Sequence, residues 1–176
     1  MIAPRLVHDN VRLIEPDVER DTLLSMRWLE GEAGRKTLQA MGVPDADIAP
    51  PTVEQERARI QSFLDRTDQL NWMIADNDQV IGSVWVDLEP TEHVQAPGVH
   101  IMIGDSAARG KGIGPIALRL VLDYLHQQGY ESVYSRHRPS NSVIARVNES
   151  LGLVADGPEY TDEDGLRWQN TVHRKP

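Results

Sequence analysis

The chain has 176 residues, 40% hydrophobic and 26% charged, which fits one globular domain, residues 1–176, with a proper core. Its formal net charge of −9 excludes the basic face that nucleic acid or an anionic membrane needs, and it is compatible with a cationic partner. It has no cysteine, so disulfides, thiolate metal sites and a cysteine nucleophile are excluded, and its six histidines lack metal-ligand spacing. No apolar run is long enough for a bilayer, and the N-terminus has no signal-like core, so a cytoplasmic location is expected.

Residues 1–10 read as an irregular lead-in, and Val11 to Ile14 as a short strand ended at Glu15-Pro16-Asp17. Leu23, Leu24, Met26, Trp28 and Leu29 predict a helix from Asp21 to Glu30, capped by Asp17 or Asp21. Gly31 to Gly34 reads as a loosening of the chain, Lys36 to Met41 as a further helical turn, and Gly42 to Pro51 as a loop. Thr52-Val53-Glu54-Gln55 fits a capping box that opens a helix. That helix turns Ile60, Phe63 and Leu64 inward, and its charges, Glu56 among them, are expected in solvent.

Asn71–Ala75 and Val80–Leu88 predict a hairpin around Asp76-Asn77-Asp78. Val99 to Ile103 is the next strand. Ile116 to Gln128 has helical periodicity and stops at Gly129. Val133 to Arg136 reads as a strand, Ser142 to Ser150 as a helix ended by Gly152, and Leu153 to Ala155 as a strand. A polar loop, 156–165, precedes a last strand from Leu166 to Val172. The order implies an α+β fold: a mixed, mostly antiparallel twisted sheet of about six or seven strands, with helices on both faces.

The stretch Gly104-Asp-Ser-Ala-Ala-Arg109-Gly110-Lys111-Gly112-Ile113-Gly114 lies between a strand and a helix start. The first amides of a helix lack partners and hold an anion well. Glycines let the backbone bend sharply and approach a ligand closely. Arg109 and Lys111 add mobile positive charge, so the turn reads as a phosphate or pyrophosphate cradle. Gly110-Lys111 is not followed by Ser or Thr, so a Walker loop fits poorly, and the glycine spacing is wrong for a dinucleotide fingerprint.

Arg109-x-x-Gly112-x-Gly114 resembles the Q/R-x-x-G-x-G/A signature of the GNAT acyl-CoA N-acetyltransferases. Asn141 to Leu153 resembles the same family's Asn-led helix ending in Glu-x-x-Gly-Phe, here Glu149-Ser-Leu-Gly152-Leu153. The resemblance runs roughly from residue 70 to 155 and is nearest to the ribosomal-protein alanine and aminoglycoside 6′-N-acetyltransferase branches. It implies the GNAT fold, acetyl-CoA as donor, and direct transfer to an amine with no covalent enzyme intermediate. It also implies that backbone groups of Met102, Ile103 and Gly104 line a splayed gap for the pantetheine arm. Arg109, Gly110, Lys111, Gly112, Ile113 and Gly114 would take the pyrophosphate, with Asn141 and Asn148 across the gap.

Three residues depart from the family pattern. Asn148 stands where many members carry a Tyr general acid, so that role is vacant and Asn148 is expected to hydrogen-bond the cofactor. Leu153 replaces Phe, and Pro115 removes one N–H from the cradle.

His100 is the preferred base, because an imidazole titrates near about 6.5. It falls where aminoglycoside 6′-N-acetyltransferase-like members carry Asp in Gly-Ile-Asp, here Gly98-Val99-His100. Packing on the sheet is its plain structural alternative, as a helix N-cap is for Asn141. Trp28, Trp85 and Asp87 are candidate acceptor-site residues, with Glu89 and Glu92 beyond them. The expected acceptor is a small cationic amine, aminoglycoside-like or polyamine-like. The alternatives are a protein or peptide N-terminus, or an acyl-CoA-binding module without catalysis. No metal is expected, and a homodimer is left open.

Overall fold

Residues 3–175 are described in a computed structural model of the chain. In chain order the strands are β1 (Leu6–His8), β2 (Val11–Ile14), β3 (Gln69–Asp76), β4 (Gln79–Asp87), β5 (Gly98–Ile103), β6 (Ser132–His137), β7 (Val154–Ala155), β8 (Tyr160–Thr161) and β9 (Arg167–Arg174). The helices are α1 (Val18–Trp28), α2 (Gly31–Ala40), α3 (Val53–Asp65), α4 (Ile113–Gln127) and α5 (Ser142–Ser150). Among the described residues the sheet has nine strands, ordered β1-β2-β3-β4-β5-β6-β9-β7, with β8 on β9. All neighbours are antiparallel except β5 and β6.

Alternation divides the sheet residues between two faces. Leu70, Trp72, Ile74, Val84, Val86 and Val99 join the main core beneath α4, which buries Ala117, Leu118, Val121, Leu122 and Leu125 along one side. The opposite face carries Gln69, Asn71, Met73, Ser83, Trp85, Asp87, His100 and Met102, and α1 and α3 lie on that side against β4 and β3.

Several expectations are corrected. The lead-in holds β1, which folds back on β2 through a turn at Asp9, where φ is +51°. Gly31–Gly34 does not loosen the chain but opens α2, and a Cβ on Gly34 would run into the Leu29 backbone. The Thr52–Gln55 capping box is present, yet Glu56 is 2% exposed rather than solvated. It accepts from the Ser25 hydroxyl and from Arg59 Nε at 2.9 Å, so α1 and α3 are joined by a buried carboxylate. The polar loop at 156–165 contains β8; β1 and β8 raise the sheet above the expected six or seven strands.

Candidate active site

Among the described residues, the parallel strands β5 and β6 share one aligned pair, Gly98 with Tyr134. The Tyr134 amide donates to the Pro97 carbonyl at 2.9 Å, and the Ser135 hydroxyl to the Val99 carbonyl at 2.9 Å. Beyond these bonds the strands part into a fork. Main-chain groups alternate in direction along a strand, so those of Ile101 and Ile103 face the fork while those of His100 and Met102 pair with β4. Of the three residues expected to present backbone there, Ile103 does, Met102 is turned to β4, and Gly104 caps the strand end. The Met102 side chain is buried with Trp28, Met73 and Val80.

The glycine turn follows the open edge of β5. Gly110 and Gly112 have φ of +75° and +79°, and Gly112 caps α4 in the left-handed region. A Cβ at either glycine would meet nothing within 4 Å, so the turn is open on its outer side. Ile113 and Gly114 begin the helix with amides that have no intrahelical partner. Pro115 has no N–H to offer, and the Ile116 amide reaches the Gly112 carbonyl at 3.5 Å. Arg109, expected as a mobile charge, instead has its side chain hydrogen-bonded. Its Nε donates to the Ile103 carbonyl at 2.9 Å and its Nη2 to Thr37 Oγ1 at 2.8 Å, which ties the end of β5 to α2. Lys111, like Arg109, is exposed.

Helix α5 borders the fork from the β6 side. Asn141 caps it, accepting from the Ile144 amide at 3.3 Å. Asn148, in the last turn of the helix, is 3% exposed, and its Nδ2 is buried without a hydrogen-bond partner. A buried amide nitrogen with no acceptor costs about 1–3 kcal/mol; Gln69, Asn71, Ser83 and Asn170 also carry buried unpartnered atoms.

His100 lies on the sheet face opposite α4. Its Nε2 is 2.9 Å from Asp87 Oδ2, and its ring stacks on Trp85 with centroids 5.2 Å apart and planes 15° apart. Asp87 also accepts from Gln69 Nε2. Burial, the largest single influence on Asp87, favours its neutral form, but the His100 and Gln69 hydrogen bonds and nearby positive charge outweigh it. The carboxyl is therefore held below the ordinary range. Asp87 and Trp85 are thus brought together with His100. Trp28 is not: it is 8% exposed, and a Cβ on Gly104 would collide with its indole, at the other end of β5. Glu89 and Glu92 are exposed on the β4–β5 loop.

The other side of the fork carries Arg136, which the sequence did not single out, and Arg138, a candidate ranked below His100. Counting two residues beyond the Gly98–Tyr134 pair along each parallel strand places Arg136 level with His100 and on the same face. Its guanidinium carbon lies 4.1 Å from the centroid of Trp168. Arg138 donates to the Arg167 carbonyl at 3.0 Å and the Gln39 carbonyl at 3.3 Å, bridging β9 to α2. The alternation Tyr134, Arg136, Arg138 along a short strand was the available signal.

The residues fit an acyl-CoA: an open strand edge, a glycine turn leading into unpaired helix amides, and an orphaned buried amide donor across the gap. Solved structures with the same fold include an acetyltransferase that modifies the N-terminal serine of ribosomal protein L7/L12 from Salmonella typhimurium. It has a TM-score of 0.77 at 15% identity over 98% of this chain and 100% of that one. Aminoglycoside acetyltransferase AAC(6′)-Ib in complex with coenzyme A gives 0.70 at 20% identity, over 94% of each chain. Microcin C7 self-immunity acetyltransferase MccE in complex with acetyl-CoA and AMP gives 0.73 at 14% identity, over 96% of this chain and 94% of that one. An uncharacterised protein, MJ1062 of Methanocaldococcus jannaschii, is 30% identical over 95 residues, 52% of this chain; the chain spans about a fifth, 19%, of that relative's length. The family described as acetyltransferase (GNAT) domain matches residues 12–154, and the chain belongs to it.

Proposed function

We propose that this chain transfers an acetyl group from acetyl-CoA directly to a primary amine held over the fork between β5 and β6. The observation that carries the reading is the His100–Asp87 pair beside a strand edge that has lost its neighbour. The cofactor supplies an activated acetyl thioester. The main-chain groups of Ile101 and the Ile103 amide would hold the pantetheine arm. The amides of the 110–114 turn would hold the diphosphate, and Asn148 Nδ2 would donate to the cofactor from α5.

The proton bookkeeping follows from Asp87. An ionised carboxylate only accepts, so the neutral imidazole carries its hydrogen on Nε2 and its lone pair on Nδ1. Nδ1 is the basic atom: it takes a proton from the amine as the C–N bond forms and the thioester C–S bond breaks, CoA leaves as its thiolate, and the imidazolium, stabilised by Asp87, gives the proton up to solvent. Trp85 holds the ring from one side, so its orientation is set before the acceptor arrives.

A small amine is the preferred acceptor. A protein N-terminus is the second reading, supported by the likeness to the L7/L12 enzyme and by Asn148 in place of Tyr. Incubation with acetyl-CoA and a panel of small amines and peptides, read by mass spectrometry, tests the proposal. Acetylated small amines that vanish with His100→Ala support it. Acetylation confined to peptides replaces it with the second reading, and no product despite CoA binding leaves a binding module.

A further inference from the structure

Several arginines of this acidic chain pair with carboxylates: Arg20 with Asp21, Arg57 with Glu19, Arg59 with Glu56 and Arg167 with Glu159. Arg136 is among those that do not. It is half-buried on the sheet face that carries His100, and among the described residues no ion pair joins it to a carboxylate. Its one hydrogen bond to a side chain runs from Nη1 to the Tyr160 hydroxyl, at 3.2 Å. Trp168, 3% exposed, supports one face of the guanidinium and is itself fixed by its Nε1–H to Asp162 Oδ2 at 2.7 Å. Asp162, in whose field Arg136 lies, is turned instead to that indole and to the Asp164 and Leu166 amides, at 3.1 and 2.8 Å.

A guanidinium offers five N–H donors in a planar fork, and stacking on an indole occupies none of them. With Nη1 on Tyr160 and the ring contact taking no N–H, Arg136 keeps donors for an oxyanion. Arg138, spent on two backbone carbonyls, braces the same wall without competing for that ligand. The partners of His100 are on β4 and those of Arg136 on β9 and β8. The fork lies between the two strands that carry them. Beside Arg136, its strand partner Asn170 has a buried Oδ1 without a donor.

We infer that the acceptor is an amine that also carries an oxyanion, a carboxylate or a phosphate, with the oxyanion on Arg136 and the amine at His100 Nδ1. This rests on the acetyl-transfer reading above and narrows it: net charge alone favours a polycation, but Arg136 and Arg138 set two guanidinium groups against Trp168 on the β6–β9 side, with Asp162 nearby. Arg136 is then the specificity residue, and a polyamine placed here would set its second charge against Arg136 and Arg138.

The test uses matched acceptors: alanine against alaninamide, phosphoethanolamine against ethanolamine, and putrescine as a dication. Two readouts are taken on wild type, Arg136→Met and Arg136→Lys. One is kcat/KM for acetylation; the other is calorimetric affinity of the CoA-loaded protein for each acceptor. Wild type is expected to favour the anionic member of at least one pair by about tenfold or more, and the pair that shows it separates carboxylate from phosphate. Arg136→Met should erase the preference by raising KM for the anionic member, with kcat and the neutral member little changed. Arg136→Lys should restore part of it.

A wild-type preference for putrescine or the neutral amines overturns the inference, as does an Arg136→Met effect equal on both members of a pair. The two readings fail separately. Selective, Arg136-dependent binding without acetylated product sinks the transferase and keeps the oxyanion site. Rapid acetylation of putrescine by wild type, unchanged in Arg136→Met, does the reverse.

Discussion

His100 Nε2 and Asp87 Oδ2 lie 2.9 Å apart on neighbouring strands, where β4 and β5 run antiparallel beside the fork. The pair is about one-fifth exposed, 22% and 19% by side chain, so it is shielded yet reachable. Gln69 from β3 holds the other carboxylate oxygen, and three strands thereby fix one imidazole.

His100→Ala should lower kcat by roughly 10²–10⁴-fold, the usual worth of a general base, with acetyl-CoA affinity unchanged. Asp87→Asn is the finer probe. The new amide can donate to Nε2, which moves the ring hydrogen to Nδ1 and removes the lone pair that accepts the proton. Turnover should fall nearly as far as in His100→Ala although the residue is kept. Steady-state kinetics on both variants checks this, and an Asp87→Asn rate equal to wild type would make Asp87 a mere neighbour.

Asn148→Leu separates a cofactor contact from a structural one. The Nδ2 of Asn148 is buried and unpartnered, so a similar apolar side chain should leave the free protein as stable, or more stable by up to about 1 kcal/mol. Affinity for acetyl-CoA should drop about tenfold. Urea unfolding and calorimetry on one preparation measure both, and lost stability with intact affinity would assign Asn148 to the core.

A second histidine pair lies away from the site. His126 Nδ1 is 2.7 Å from the Tyr130 carbonyl, and its Nε2 is 2.8 Å from His173 Nδ1. Burial foremost, then the positive fields of His126 and Arg119, hold the His173 pKa below the usual imidazole range, against Asp123 and the Leu151 backbone. Between the depressed folded value and the unfolded value of about 6.5 the unfolded chain binds more protons. Stability should therefore rise with pH through that window and be lost as pH falls below about 6.5. His173→Asn keeps a donor toward His126 and should flatten the slope. Urea midpoints between about pH 5 and 8 decide it.

The sheet and the glycine turn were legible because their signals are local: period-two alternation, a capping box at Thr52, glycines before a helix. Asp87 and His100 could be nominated singly, but their union depends on the Trp85–His100 register, which the sequence does not print. Arg136 was missed for the same reason. Its meaning comes from Trp168, 32 residues further on, and from a fork whose position no periodicity reveals. Trp28 was misplaced toward the acceptor because nothing local shows that Gly104 makes room for its indole. Glu56 read as solvent-facing because its partner, Ser25, lies on another helix.

On the proposed function, the turn from Arg109 to Gly114 binds coenzyme A beside the open edge of β5. Gly112 sits at φ +79° with open space where a Cβ would be, so Gly112→Glu should cost the fold only about 1–2 kcal/mol. It would place a carboxylate where the diphosphate belongs. Calorimetric titration of both proteins with CoA, matched by circular dichroism, is the direct measurement. Saturable one-to-one binding by wild type, weakened about 100-fold or more in a folded Gly112→Glu, is the predicted result. Equal binding by the two proteins, or none by wild type, would contradict it.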